Sequence, residues 1–222
     1  MSAASLPKRS EPSPNFAASI VFIVDDDISV RESLELLIRA KGWQAETFES
    51  AMEFLDRPRV LVPSCLVLDV SLPDLNGLEL QKRVAVERRE MPIIFITGHG
   101  DVPMSVEAMK AGAAEFLTKP FSMDVLVTTI RDALDRSRTA LTDKAEMQSL
   151  RDCYASLTPR EREVMTLVIS GLLNKQVGGE LGICENTVKF HRAQALQKMK
   201  ADCLPDLVRM AARLGLTRVP KR

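Results

Sequence analysis

The chain has 222 residues, 45% of them apolar and 27% charged, which excludes a disordered or fibrous protein and suffices for one large domain or two small ones. Lys plus Arg equals Asp plus Glu, 30 against 30, so whole-chain charge says nothing about a partner. Residues from 151 onward, however, carry 13 basic against 7 acidic side chains, and residues 1–150 carry 17 against 23, an acidic part followed by a basic part suited to a polyanion.

Residues 1–19 hold three prolines and five serines without apolar periodicity, which predicts a disordered tail. Lys8 and Arg9 ahead of the apolar stretch Phe16 to Val24 imitate a secretion signal, but the stretch runs into Asp25, Asp26 and Asp27 with no cleavage site. No apolar run approaches the ~20 residues of a membrane helix. Cys65, Cys153, Cys184 and Cys203 lie far apart with no C-x-x-C pair, which indicates neither a zinc site nor a disulfide framework and fits a reducing cytoplasm.

From residue 20 to 138, β-rich runs at 20–24, 44–48, 65–68, 93–97 and 115–118 alternate with helical patterns near 29–41, 50–57, 77–88, 103–111 and 124–138. Right-handed crossovers turn such an alternation into an α/β domain, a (βα)5 doubly wound parallel sheet with helices on both faces. Residues 139–155 are charged and helix-permissive, either a helical linker or a continuation of the preceding helix. Residues 156–222 read as a small all-α domain. Thr158, Pro159 and Glu161 form a capping box that starts a helix, Gly171 ends it, and helices near 174–181, 185–200 and 205–214 follow. Two helices across a short Gly-containing turn, the second one basic, form the helix-turn-helix pattern.

In a doubly wound sheet the working crevice lies at the C-terminal strand ends, and these ends carry Asp25-Asp26-Asp27, Asp69, Thr97 and Lys119-Pro120. Converging carboxylates repel one another unless a hard cation such as Mg²⁺ neutralises them. An Asp so placed can act as nucleophile toward phosphorus when a cation and a Lys ammonium offset the transferring charge. Singly, each residue could be a turn, cap or solvated surface group; four strand ends in this order are not accounted for that way. His99, in a Gly-His-Gly loop, lacks neighbours at ligand spacing and reads as a loop residue.

The runs VDDD (24–27), LDVSLPDLNGLEL (68–80), ITGHGDVPMSVEAMKAGA (96–113) and EFLTKPF (115–121) resemble the receiver domain of two-component response regulators, in the FixJ-like subgroup. The resemblance implies that Asp69 is the phosphoacceptor, and that Asp26 directly, Asp25 through water, Asp69 and the Ser71 backbone carbonyl hold Mg²⁺ or Mn²⁺. It further implies that Lys119, before a cis proline, and Thr97 contact phosphoryl oxygens, and that Phe116 is the aromatic of a switch; ordinary packing is the alternative for Phe116.

The run LTPREREVMTLVISGLLNKQVGGELGICENTVKFHRAQALQKM (157–199) is similar to the LuxR-type helix-turn-helix. Val164, Leu167, Val168, Val177, Leu181, Ile183, Val188, Leu196 and Met199 supply the apolar face of its core. Thr187, Lys189, Phe190, Arg192, Ala193 and Lys198 are then the DNA-facing set, with Lys189, Phe190 and Ala193 toward bases and Arg192 and Lys198 toward phosphates. In place of the usual residues of that family stand Gly178 and Gly179, expected to weaken the first helix of the motif by up to ~1 kcal/mol each. Leu173 leaves Asn174 as the available cap, and Cys184 replaces a capping Ser.

These resemblances imply a non-enzymatic transcription regulator, phosphorylated on Asp69 by a sensor histidine kinase, that dimerises, binds a double-stranded operator and engages RNA polymerase in the cytoplasm. A signalling module with a weakened DNA-binding domain is the alternative. A dehalogenase-type phosphatase is disfavoured because Ser71 stands where that family needs an acid, and a nucleotide-binding protein is disfavoured because no phosphate-cradling Gly motif follows strand one.

Overall fold

The structure, a computed structural model, describes residues 19–98 and 102–216; the expected tail through residue 18, and His99, lie outside the described residues. Ser19 does not belong to a tail, since it is buried and its carbonyl accepts from the Gln44 N–H. The described residues form two compact units, divided after residue 141.

The first unit runs β1 (Ile20–Val24), α1 (Ile28–Ala40), β2 (Gln44–Phe48), α2 (Ala51–Asp56), β3 (Ser64–Asp69), α3 (Gly77–Glu87), β4 (Ile93–Thr97), α4 (Val102–Lys110), β5 (Glu115–Thr118) and the start of α5 (Met123–Ala155). All strand pairings are parallel, in the order β2-β1-β3-β4-β5. Successive side chains point to opposite faces, so β1 sends Phe22 and Val24 to one face and Val21 and Ile23 to the other. The first face continues through Leu66, Leu68 and Phe95 to Phe54, Leu80, Val84 and Ala108 of α2, α3 and α4. The second continues through Val67, Ile94 and Ile96 to Leu34 and Ile38 of α1 and Leu126, Ile130 and Leu134 of α5. Burial on both faces explains why β1, β3 and β4 read as unbroken apolar runs. Strand order reverses between β1 and β3, which opens the crevice at their C-terminal ends. There Asp27 caps α1 by accepting from the Ser29 N–H, and Asn76 caps α3 by accepting from Leu78.

Residues 139–155 continue α5, which is one helix of 33 residues. No Pro or Gly interrupts 123–155, so nothing ends the helix after the receiver-like core.

In the second unit the last turns of α5 join α6 (Pro159–Ile169), α7 (Asn174–Leu181), α8 (Glu185–Met199) and α9 (Leu204–Arg213). The capping box at Thr158 and Glu161 is formed, and Gly171 and Gly182 close α6 and α7 at positive φ, where a side chain would be strained. The expected core residues all pack, but in two clusters. Val164, Val168, Val177 and Val188 form one with Leu167, Leu181 and Ile183 at its edge. Met199 and Leu196 belong to another, built with Leu150 of α5, Leu157, Met165, Ile169 and Leu207 of α9.

Two local expectations are corrected. Asn174 is not the cap of α7: Leu173 occupies that position, and Gln176 reaches back to its N–H at 2.9 Å. Gly178 is not merely a weak helix former, because a Cβ built there would lie 2.7 Å from the Ile183 carbonyl oxygen, whereas Gly179 faces open space.

Candidate functional site

The ends of β1, β3 and β5 bring together Asp25, Asp26, Asp69 and Lys119. Carboxylate oxygens of the three Asp residues all lie within 4.8 Å of one another. Asp25 is fully buried. One of its oxygens accepts from the Asp27 N–H at 3.0 Å and the other from Lys119 Nζ at 2.9 Å. Asp69 is nearly buried, 3.9 Å from Lys119 Nζ, with the Ser71 N–H 3.4 Å from its Oδ1. Asp26 is exposed at the rim. Burial pushes the Asp69 carboxyl above its ordinary value. Lys119 opposes that shift, Asp25 adds to it, and the Ser71 and Val70 N–H groups oppose it weakly. Three carboxylates against one ammonium are an excess of negative charge in a partly desolvated pocket, and the donor set is all oxygen, which fits a hard divalent cation.

Thr97 is fully buried at the end of β4, and its carbonyl accepts from the Lys119 N–H at 2.8 Å. Lys119 is joined to Pro120 through a cis peptide bond. Phe116 pairs with Phe95 across β4 and β5, their rings 6.0 Å apart, and is half-buried. The residues following Asp69 hold two that sequence reasoning left without a role. Asp74 accepts from the Met52 N–H at 2.9 Å and the Ala51 N–H at 3.3 Å, holding the start of α2 against the loop after the Asp69 strand. Gly77 starts α3 so close to that strand that a Cβ would lie 2.6 Å from the Asp69 carbonyl oxygen and 3.2 Å from the Phe95 ring. The Asn-Gly pair in the 68–80 run was the available signal for it.

In the second unit α8 follows α7 across the Gly182 turn. Its buried side holds Val188, Ala195 and Met199; Glu185, Asn186, Lys189, Phe190, Ala193 and Gln197 are exposed on the other. Of the expected DNA-facing set, Lys189, Phe190 and Ala193 lie on this open face. Thr187 is half-buried beside Cys184, oxygen to sulfur 3.0 Å. Arg192 donates to Asn174 Oδ1 at 3.2 Å. The ammonium of half-buried Lys198 donates to both oxygens of buried Glu161, at 2.9 and 2.7 Å, and so holds α8 to α6. Cys184 caps α8 without a side-chain hydrogen bond to the backbone.

Residues 21–131 match the response regulator receiver domain and residues 155–211 match the bacterial regulatory proteins of the luxR family. The chain is 47% identical to nodulation protein W of Bradyrhizobium diazoefficiens over 90% of this chain and 88% of that protein. It is 42% identical to the transcriptional regulatory protein FixJ of the same organism, over 88% and 96%. Among solved structures it is similar to the response regulator StyR, with a TM-score of 0.82 and 45% identity over 89% of this chain and all of that one.

Proposed function

The chain belongs to the response regulators with a LuxR-type DNA-binding domain, and from that premise we propose that it is a transcription regulator switched by phosphorylation of Asp69. The observation that carries the proposal is the meeting of Asp25, Asp26 and Asp69 with Lys119 at the strand ends. An oxygen of Asp69 attacks the phosphorus of a phosphohistidine on a sensor kinase. The P–N bond breaks, its electron pair returns to the imidazole, and an aspartyl phosphate remains. Lys119 neutralises part of the charge on the transferring group, and the buried Thr97 hydroxyl contacts a phosphoryl oxygen once Asp69 is modified. Asp25, Asp26, Asp69 and the Ser71 carbonyl would hold Mg²⁺ or Mn²⁺, which would supply the positive charge that one lysine lacks.

Phosphate on Asp69 draws Thr97 inward, Phe116 repacks against Phe95, and the surface of α4 and β5 changes, so that two copies associate there. Val102, Val106 and Met109, exposed at helical spacing on α4, support that face as the dimer surface. Dimerisation then brings two α8 helices to half-sites about one helical turn apart in an operator. There Lys189, Phe190 and Ala193 face bases, Thr187 sits at the groove edge and Arg192 reaches phosphate. RNA polymerase is the target of the bound dimer, and the cytoplasm its location; no helix among the described residues is long and apolar enough to cross a membrane.

The test is phosphoryl transfer from a kinase or a small-molecule donor. Asp69→Asn preserves the shape and removes the nucleophile, so incorporation is expected in the parent protein with a divalent cation and in neither the variant nor a chelator. Phosphate retained by the variant would overturn the assignment.

A further inference from the structure

Arg192 and Lys198 are half-buried at the flanks of α8 with hydrogen bonds to Asn174 and Glu161, and the fully open face between them has an unexpected charge pattern. It carries one cation, Lys189, and one anion, Glu185, and these are partners: Lys189 Nζ lies 3.1 Å from Glu185 Oε1 in an i,i+4 pair whose side chains are both about half exposed. An exposed pair of this kind stabilises a helix by only ~0.3–0.5 kcal/mol. A carboxylate in the first turn of a helix that enters a DNA groove is repelled by phosphates on both walls. The place of Glu185 in the first turn of α8 adds about 0.3–1 kcal/mol through the helix dipole, a gain any first-turn acid would give, while nonspecific affinity gives reason against it.

Base chemistry gives a reason. The major-groove edge of a G·C pair presents the guanine N7 and O6 acceptors beside the cytosine N4 donor. O6 and N4 are themselves joined by a base-pair hydrogen bond, so they lie roughly 2.9 Å apart. The Glu185–Lys189 pair offers a donor and an acceptor 3.1 Å apart, at the N-terminal end of the helix, the end that reaches base edges in helix-turn-helix proteins. We propose that Glu185 is a specificity-determining residue, and that the Glu185–Lys189 pair reads a single G·C pair as a unit. Lys189 donates to guanine N7 and O6, and Glu185 accepts from cytosine N4. A thymine offers the ammonium one acceptor flanked by a methyl group where guanine offers two, so A·T in this place binds less well. Because the pair is neutral as a whole, it adds discrimination without nonspecific attraction. Glu185 thus keeps Lys189 from acting as a general phosphate contact.

The inference rests on the DNA-binding reading above, and the experiment separates the two. Phosphorylated full-length protein selects duplexes from a randomised pool, and anisotropy titrations then compare the selected duplex, a copy with each G·C changed to A·T, and a random duplex. The parent protein is expected to select a half-site with an invariant G·C whose replacement weakens binding ~10-fold or more. In Glu185→Ala that penalty falls below about 3-fold, while binding to random duplex tightens. Glu185→Gln keeps Lys189 and an acceptor oxygen for cytosine N4 but not the ion pair, and is expected to retain most of the penalty; a purely helix-stabilising pair would make Glu185→Gln and Glu185→Ala behave alike. A selected half-site without an invariant G·C, or the same penalty in parent and both variants, overturns the inference alone. Equal affinity of the phosphorylated parent protein for selected and random duplex overturns the DNA-binding reading, and the inference with it.

Discussion

At the scale of single residues, the glycines separate two effects that look alike in sequence. In an exposed helix, Gly→Ala gains up to ~1 kcal/mol, and Gly179, with open space at its Cβ position, is expected to gain about that in thermal unfolding. Gly178→Ala is expected to lose stability, because the new methyl would lie 2.7 Å from the Ile183 carbonyl oxygen and a backbone group cannot swing away. Opposite signs for two adjacent substitutions are the outcome that checks this; equal gains would contradict it. Glu161 carries a dependence on pH. Its hydrogen bond from Lys198 is the main cause that lowers its carboxyl below the ordinary 4.5, against the opposing effect of burial. A depressed folded-state value means the stabilisation is present above 4.5 and is lost as pH falls through the folded value. Urea titrations should show Glu161→Gln less stable than the parent protein at pH 7, with the gap closing below pH 4.5. Residue identity made Asp25, Asp26, Asp69, Thr97 and Lys119 legible, since strand ends collect chemistry in this topology. It could not show that Lys198 is already paired, because the partner, Glu161, lies 37 positions away and both residues also fit a solvated helix face.

At the scale of elements, β1, β3 and β4 were legible because burial on two faces writes an unbroken apolar run, β2 and β5 because their short β-rich runs alternate with helical patterns, and the capping box at Thr158 was legible because it is local. The length of α5 was not, since a solvated helix carries no apolar period beyond Leu134 until Leu150 turns into the second core. Leu150 is buried against Leu157, Met165 and Ile169, so Leu150→Ala should cost about 2–5 kcal/mol, seen as an earlier unfolding transition of the second unit. Helix α7 has Leu173 at its N-cap, an exposed residue with no side-chain acceptor for the orphan N–H groups of the first turn. Leu173→Ser supplies one without emptying any core, and a gain of roughly 1 kcal/mol is expected; a loss would place Leu173 in a contact that the exposed side chain does not make here.

At the scale of the whole molecule, the acidic first part and basic last part seen in composition fall largely on separate compact units, the first with the proposed phosphoacceptor crevice and the second with the proposed DNA-facing helix. Charge asymmetry made two partners legible, but not how phosphate on one unit governs the other, because association of copies leaves no local pattern in a single chain beyond the exposed α4 residues. Sedimentation of phosphorylated and unphosphorylated protein over a range of concentrations should give a larger dimer fraction with phosphate. Val106→Glu on α4 should reduce that fraction while leaving phosphate incorporation intact, as expected of a charge placed in an apolar contact. The central claim is that phosphate on Asp69 controls sequence-specific DNA binding. It is tested most directly by one titration of a selected operator with parent protein and with Asp69→Asn, each treated with a phosphodonor and divalent cation. The account expects the donor to tighten binding by the parent protein ~10-fold or more, as coupling of the usual 1–3 kcal/mol allows, and to leave Asp69→Asn unchanged; the same tightening in both proteins, or in neither, would contradict it.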